Sequence, residues 1–262
     1  MILDFHTHFF PDALAPRAIA QLAATAQIVP CTDGTLAGTL ARMTEAGVDM
    51  AVGLHIATNP GQMHKVNDFA AASQSNRMAC FGSVHPKAPD ALDELHRIKE
   101  LGLKGVKLHP DYQGFFVDDP AMAPLYETAA RLGLSVLFHA GKDPLCQEVH
   151  ATPRALAQLA LDYPDLTVIV AHMGGLLRYE ESMEYLVGSR VYLDVSMSCT
   201  CCPDGLFAQM VARHPKDRLL FATDCPWSRA EDQIKKLRSL NLSRDDLNLI
   251  LWENGQRILS GR

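Results

Sequence analysis

The chain predicts a single-domain (β/α)8 barrel, the TIM-barrel fold, on three observations. Eight short apolar runs alternate with amphipathic segments along its 262 residues. Most of the runs are continuous Val/Ile/Leu/Phe stretches without clean alternation, as expected of parallel strands covered on both faces. Glycine stands ahead of a strand at Gly47, Gly102 and Gly133, where an αβ connection places its helix stop. A barrel of this kind takes about 250 residues as one domain, so residues 1–262 are read as one unit rather than divided by length.

The elements follow in order. Ile2–His8 is the first strand, and Phe9 to about Pro30 is a modest first βα segment. Thr35–Ala46 reads as a helix, stopped by Gly47 ahead of the strand Met50–Ala57. Met78–Val84 is the third strand; the helix Ala88–Leu101, stopped by Gly102, leads to the fourth, Gly105–His109. Asp118-Asp119 cap a helix that opens on Pro120 and runs to Leu132, with Gly133 ending it before Ser135–His139; acidic caps and a first-turn proline are helix-start signals. Thr152-Pro153 opens a helix to about Leu161, ahead of the strand Thr167–His172. Val191–Met197 is the seventh strand and Pro203-Asp204 opens the helix behind it. Leu219–Asp224 is the eighth, followed by the helix Arg229–Leu240 and two short terminal helices within Ser243–Leu259. An open doubly wound sheet competes with this reading, but it carries a Gly-rich phosphate turn after its first strand. Here Phe9-Phe10-Pro11-Asp12 occupy that place.

Composition narrows the function. Net charge is −6 and no basic block occurs, which disfavours nucleic acid and anionic membrane surfaces as partners. No run reaches the roughly 18 apolar residues of a membrane helix. Met1–Leu3 lack a basic n-region, and Asp4, His6 and His8 break the apolar run, so the opening does not read as a signal peptide. Seven cysteines, an odd number, sit mostly in apolar runs; they read as reduced thiols of a cytoplasmic protein.

A barrel of this class carries its chemistry at the C-terminal ends of its strands. Strand one ends in His6 and His8, which at i and i+2 share one face. Strand four ends in Lys107 and His109, strand five in His139, strand six in His172 and strand eight in Asp224. One histidine at a strand end is most often a hydrogen-bonded structural residue. Seven metal-competent polar groups at the ends of five strands, brought to one mouth by closure, point to a metal site, because each would cost several kcal/mol if buried unpaired.

The set Asp4-Phe5-His6-Thr7-His8, Gly105-Val106-Lys107-Leu108-His109-Pro110, Phe138-His139-Ala140-Gly141, Ala171-His172-Met173-Gly174-Gly175 and Ala222-Thr223-Asp224-Cys225-Pro226 resembles the amidohydrolase superfamily, in its amidohydrolase-2 (amidohydrolase-related) branch. Lys104–Gly141 is similar to that branch, as is the ending Asn254-Gly255-Gln256-Arg257-Ile258-Leu259. The resemblance implies a divalent metal held by His6, His8, His139 and Asp224, with His172 beside it as a catalytic histidine. Zinc suits imidazole and carboxylate donors best, with Mn²⁺, Fe²⁺ and Co²⁺ also accepted. Asp224 is the one carboxylate read at the mouth, so proton transfer falls to it. Lys107 has three readings: contact with a substrate carboxylate or phosphate, an ion pair with Asp224 or another acid, and a carbamate bridging a second metal bound by His139 and His172. His109 is read with Lys107 as a substrate contact.

The branch includes hydrolases of cyclic esters and amides, hydratases, and decarboxylases of aromatic and muconate acids. The chain is short and arginine is sparse near the strand ends, with Arg178 and Arg229 nearest. The expected function is therefore hydrolysis of a lactone or amide of a small molecule by metal-activated water; the alternative is non-oxidative decarboxylation of a small aromatic or unsaturated acid. A small-molecule substrate is the expected partner, and a homodimer is the assembly suggested by analogy with other barrels. His55 and His85 end strands two and three, as substrate contacts or supporting residues. Tyr112–Phe116 is either an apolar lid or a packed loop. Cys199, Cys201 and Cys202 lack zinc-ribbon spacing and read as free thiols; Cys225 reads as a packing residue.

Overall fold

The computed structural model describes residues 1–144 and 146–261. Among these, eight strands run in chain order: β1 (Leu3–Thr7), β2 (Met50–Leu54), β3 (Met78–Phe81), β4 (Gly105–Leu108), β5 (Ser135–Phe138), β6 (Val168–Val170), β7 (Tyr192–Asp194) and β8 (Leu219–Leu220). Each pairs with its sequence neighbour in parallel, in one group β1–β3 and another β4–β8. Two seams join the groups. At one, the Gly82 amide donates to the Gly105 carbonyl at 2.9 Å and the Lys107 amide to Gly82 at 2.8 Å. At the other, the Phe5 amide donates to Phe221 at 2.9 Å and the Asp224 amide to His6 at 2.8 Å. The sheet thereby closes, and the predicted barrel is the observed architecture.

Apolar residues alternate between two cores along each strand. Val52, Leu54, Ala79, Phe81, Leu137, Ile169, Tyr192 and Leu220 form one buried cluster with Leu3 and Phe5. Their neighbours Ala51, Met78, Cys80, Val136, Phe138, Val168, Val170, Leu193 and Leu219 belong to the larger cluster beneath the helices. Burial of each large side chain contributes about 1.5–3 kcal/mol. In β4 the residue between Val106 and Leu108 of the larger cluster is Lys107, 1% exposed.

The strands are shorter than their apolar runs, and for a common reason. The sequence runs strand six through His172 and strand eight through Asp224, but regular pairing ends at Val170 and Leu220. Both polar residues take positive φ, 59° at His172 and 69° at Asp224, a conformation that ladders do not accommodate and that costs non-glycine residues energy. The functional ends leave the sheet in order to aim side chains. Among the described residues, three helices of seven residues or more have no counterpart in the sequence reading: Ala15–Ala26, Met63–Ala72 and Tyr179–Tyr185. Two of the three open without a capping side chain on Leu14 or Gln62, and the third is only seven residues long. At the C-terminus, Arg244–Asn248 and Asn254–Ser260 are helices joined by the π-turn Leu249–Glu253.

β1 carries an irregularity that matters. Asp4 pairs with Ala51 but Thr7 with Gly53, so β1 spends one residue more than β2 over this stretch, as a β-bulge does. The Asp4 carboxylate fills the gap. It accepts from the His6 amide at 3.2 Å, the Thr223 amide at 3.0 Å and the Thr223 hydroxyl at 2.6 Å. Burial nonetheless raises its carboxyl to about 7. One acid thus clamps the first strand to the segment that carries Asp224. Among the described residues no helix is long and apolar enough to cross a membrane.

Candidate metal centre

His6 and His8 meet as their spacing predicts, with their Nε2 atoms 3.1 Å apart. Asp224 Oδ1 lies 3.2 Å from His6 Nε2 and 3.1 Å from His8 Nε2. The three atoms form a nearly equilateral triangle. Four ligands at about 2.0–2.1 Å around a tetrahedral ion stand about 3.3 Å apart, so the triangle is close to one face of such a site. Each imidazole is also turned correctly. His6 Nδ1 donates to Asp194 Oδ2 at 2.8 Å and His8 Nδ1 to the Leu54 carbonyl at 2.8 Å, which leaves both Nε2 lone pairs free. Access differs within the triangle: the side chains of His8 and Asp224 are 14% and 13% exposed, that of His6 1%.

Protonation fits metal binding as well. Burial, helped by the Lys107 cation, lowers His6 to about 3. Burial would raise the Asp224 carboxyl, but the imidazoles of His6, His8 and His172 outweigh it and bring it to about 2. Neutral imidazoles and an ionised carboxylate are the forms that bind metal.

His139 and His172 stand together beside this triangle. His172 Nε2 and His139 Nδ1 are 3.1 Å apart, and His139 Nε2 is buried without a hydrogen-bond partner. An imidazole nitrogen in that state is an open ligand position, and it supports the fit of a metal at this mouth. Gly141 holds the segment behind it: a side chain there would meet the Leu176 backbone nitrogen at 2.2 Å, so the close approach requires glycine.

The sequence reading placed one carboxylate at the mouth, and the structure corrects this. Asp194, fully buried on β7, binds His6 through Oδ2 and receives the His172 amide at 2.9 Å and the Ser196 amide at 3.0 Å on Oδ1. The Ser196 hydroxyl also donates to it. Burial opposes ionisation, but His6 and these donors hold its carboxyl well below the ordinary range. Asp194 and Ser196 were legible in principle, as polar residues alternating with Leu193 and Val195 inside an apolar strand.

Lys107 and His109 take different places. Lys107 Nζ lies 3.4 Å from His6 Nε2. Burial pushes it down to about 8 against the pull of Asp224 and Asp194, and among the described residues no acid pairs with it, so the predicted ion pair is absent. His109 is stacked between His139, centroids 4.0 Å apart and 8° from parallel, and Tyr112, at 3.7 Å and 3°. Its Nδ1 accepts from the Tyr112 amide at 3.4 Å and its Nε2 faces Asp143 Oδ2 at 3.6 Å. Tyr112 therefore packs against the mouth, Phe115 is buried in the larger core cluster and Phe116 is exposed. His55 lies between the rings of Phe9 and Phe69, and His85 Nδ1 accepts the Lys87 amide; both read as packed, supporting residues. Cys199, Cys201, Cys202 and Cys225 are free thiols, as read from their spacing.

The model of the amidohydrolase family matches residues 3–260, nearly the whole chain. This chain belongs to the amidohydrolase family. None of the curated proteins matches it in sequence. Among solved structures, it is similar to an uncharacterized TIM-barrel protein from Bordetella bronchiseptica, at 22% identity and TM-score 0.80 over 99% of this chain and 98% of that one. It is similar to 2,6-dihydroxybenzoate decarboxylase in complex with 2,6-dihydroxybenzoate, at 17% identity and TM-score 0.74 over 99% of both chains. It is also similar to a dihydroxybenzoic acid decarboxylase from Polaromonas sp. with bound manganese and 2-nitroresorcinol, at 19% identity and TM-score 0.72 over 99% and 96%. At these identities the likeness is one of fold. The amidohydrolase family therefore supplies the enzyme class and the barrel, and the reaction has to be argued from the site.

Proposed function

We propose that this amidohydrolase-family barrel is a metal-dependent decarboxylase of a small aromatic carboxylic acid. The observation that carries the reading is Lys107: an ammonium buried at the mouth, beside a metal-ligand triangle, with no acid within ion-pair distance among the described residues. A buried cation without a directly paired acid is costly, the more distant pull of Asp224 and Asp194 notwithstanding, and an anionic substrate would offset that cost each time it binds. An acid supplies the anion by its nature; a lactone or amide need not. The decarboxylases among the solved structures support this over the hydrolysis expected from sequence.

His6, His8 and Asp224, with His139 Nε2 as the fourth donor, would hold the ion; bound there, it would supply positive charge that anchors and polarises anionic substrate oxygens. Manganese stands beside zinc as the metal to test, since the donors are nitrogen and oxygen without sulfur. A carbamate on Lys107 would need His172 for a second ion, and His172 Nε2 is engaged by His139; the one-metal arrangement is the better fit. In the reaction, the bond from ring carbon to carboxylate breaks, its electron pair stays with the ring carbon, CO₂ leaves, and the carbon takes a proton. Lys107 orients the carboxylate. The proton comes from water: Asp224, ionised at rest, would take it up and pass it to the ring carbon, returning to its ionised form. His172 keeps the surrounding hydrogen bonds in place.

The test is to load purified protein with Mn²⁺ or Zn²⁺ and offer hydroxybenzoic acids alongside lactones and amides, following CO₂ release and hydrolysis. CO₂ from an aromatic acid is expected, with kcat/KM reduced about 100-fold or more in Lys107→Met. Hydrolysis of a lactone or amide without CO₂ from any acid overturns the reading.

A further inference from the structure

The structure assigns to Asp194 and Ser196 the role of setting which nitrogen carries the proton in three imidazoles at once: His6 directly, and His172 and His139 in series. This rests on the metal-centre reading above and goes beyond it, because it explains why the right lone pairs are presented.

The chain of hydrogen bonds admits one polarity. Asp194 is fully buried and receives two backbone amides on Oδ1. Backbone N–H groups can only donate, so the carboxylate is the acceptor throughout, and an ionised carboxylate has no proton to give. The Ser196 hydroxyl therefore points its proton at Asp194. With that proton committed, Ser196 Oγ can only accept from its ring neighbours, His172 Nδ1 at 2.8 Å and, more distantly, His6 Nδ1 at 3.4 Å. His172 then carries its proton on Nδ1 and presents a lone pair at Nε2. That lone pair faces His139 Nδ1 at 3.1 Å, so His139 donates from Nδ1 and is left with a lone pair on Nε2. His139 Nε2 is a buried nitrogen with no hydrogen-bond partner among the described residues. On its other oxygen, Asp194 takes the Nδ1 proton of His6 at 2.8 Å, which frees His6 Nε2 toward His8 and Asp224. One carboxylate, with a serine as relay, thus sets which nitrogen presents its lone pair in His6 and in His139. His172 is the intermediate link, and His6 and His139 are the ends.

Ser196 is the informative position to change, because its hydroxyl links Asp194 to His172 Nδ1. Without its hydroxyl, His172 Nδ1 loses its acceptor, and the ring is free to hold its proton on Nε2 and donate to His139 Nδ1. His139 then carries its proton on Nε2, and the open ligand position closes. The branch through His6 keeps its 2.8 Å bond to Asp194 and loses only the longer 3.4 Å contact with Ser196. The experiment is long-range proton–nitrogen correlation on metal-free, ¹⁵N-histidine-labelled protein, where each ring reports its tautomer. Wild type is expected to show His6, His172 and His139 protonated on Nδ1. Ser196→Ala is expected to move His172 and His139 to Nε2 and leave His6 unchanged, while Ser196→Thr, which keeps a hydroxyl, retains the wild-type pattern. Titration with Mn²⁺ or Zn²⁺ alone is expected to show binding about ten- to a hundred-fold weaker in Ser196→Ala, restored in Ser196→Thr. His214, remote from the mouth, reports folding: its Nδ1 accepts from the Gly188 amide and its Nε2 donates to Val191, so its tautomer stays the same in a folded variant. Wild-type His139 protonated on Nε2 overturns the inference outright, even if Ser196→Ala does not fold. So does a folded Ser196→Ala with unchanged tautomers. Because these readings need neither metal nor turnover, they stand or fall separately from the decarboxylase reading.

Discussion

The two sides of the barrel mouth hold their imidazoles in opposite ways. On the β1–β8 side, His6 and His8 meet edge to edge and, with Asp224, bring three donor atoms within 3.1–3.2 Å of one another. On the β4–β5 side, His139, His109 and Tyr112 lie face to face, 3.7–4.0 Å apart and within 8° of parallel. An imidazole binds a cation along a lone pair in its own plane. Converging planes can share an ion; two stacked planes cannot. Proximity of ligand-type residues is therefore not enough to make a site. The cluster His109, His139 and Asp143 has donor atoms as closely grouped as a metal site needs, yet the rings of His109 and His139 are stacked and their planes do not converge. The stacked side reads as a flat wall and the converging side as the metal edge.

Substitutions can break this contrast, the largest effect coming from the converging side. Asp224→Asn keeps the shape but removes a charge from the triangle; turnover is expected to fall at least 1,000-fold, read by steady-state kinetics with metal in excess. Activity within tenfold of wild type would take Asp224 out of the chemistry. His8→Ala is expected to weaken metal binding by about 100-fold, measured by competition with a chelator, since one corner of the triangle is lost. Unchanged affinity would move the ion elsewhere. His109→Ala, on the stacked side, is expected to leave metal stoichiometry unaltered and raise KM about tenfold. Loss of metal in that variant would erase the distinction drawn between the two sides.

The smallest effect concerns acid stability away from the mouth. Burial lowers His214 to about 4. Between that value and the ordinary 6.5 the unfolded chain takes up a proton that the native state refuses, so its contribution is complete above pH 6.5 and is lost as pH falls toward 4. The full span is on the order of 3 kcal/mol. His214→Gln is expected to flatten the acid limb of a pH–stability curve while leaving metal affinity alone. An unchanged limb would place the acid sensitivity wholly among the mouth histidines, where burial lowers His6 and His55 to about 3.

What the sequence disclosed of this arrangement, and what it withheld, follows from the range of each interaction. His6 and His8 were legible because two residues on one strand share a face whatever the rest of the fold does. Their meeting with Asp224 needed only closure of the barrel, which eight apolar runs and glycine stops predicted. The helices Ala15–Ala26 and Met63–Ala72 were hidden, since Leu14 and Gln62 supply no capping side chain and packing alone ends them. Asp194 and Ser196 are visible as polar residues in an apolar run, but their roles are hidden for another reason. Their partners are 188 and 24 residues away in the chain. Spacing rules carry no information about such partners. The stack at His109 likewise depends on the turn Pro110–Gln113 folding back, with His109 Nδ1 as its cap.

The clamp between Asp4 and Thr223 has a consequence for how the protein is made. It joins two residues 219 apart in the chain, and it holds the two imidazoles of β1 against the carboxylate next to Thr223. During synthesis His6 and His8 emerge first, and the strands between follow before Asp224 leaves the ribosome. Neither the last seam of the barrel nor the triangle can form before then. A nascent chain that has not yet released Asp224 has no triangle with which to capture a metal ion, so loading waits for β8 and the segment behind it.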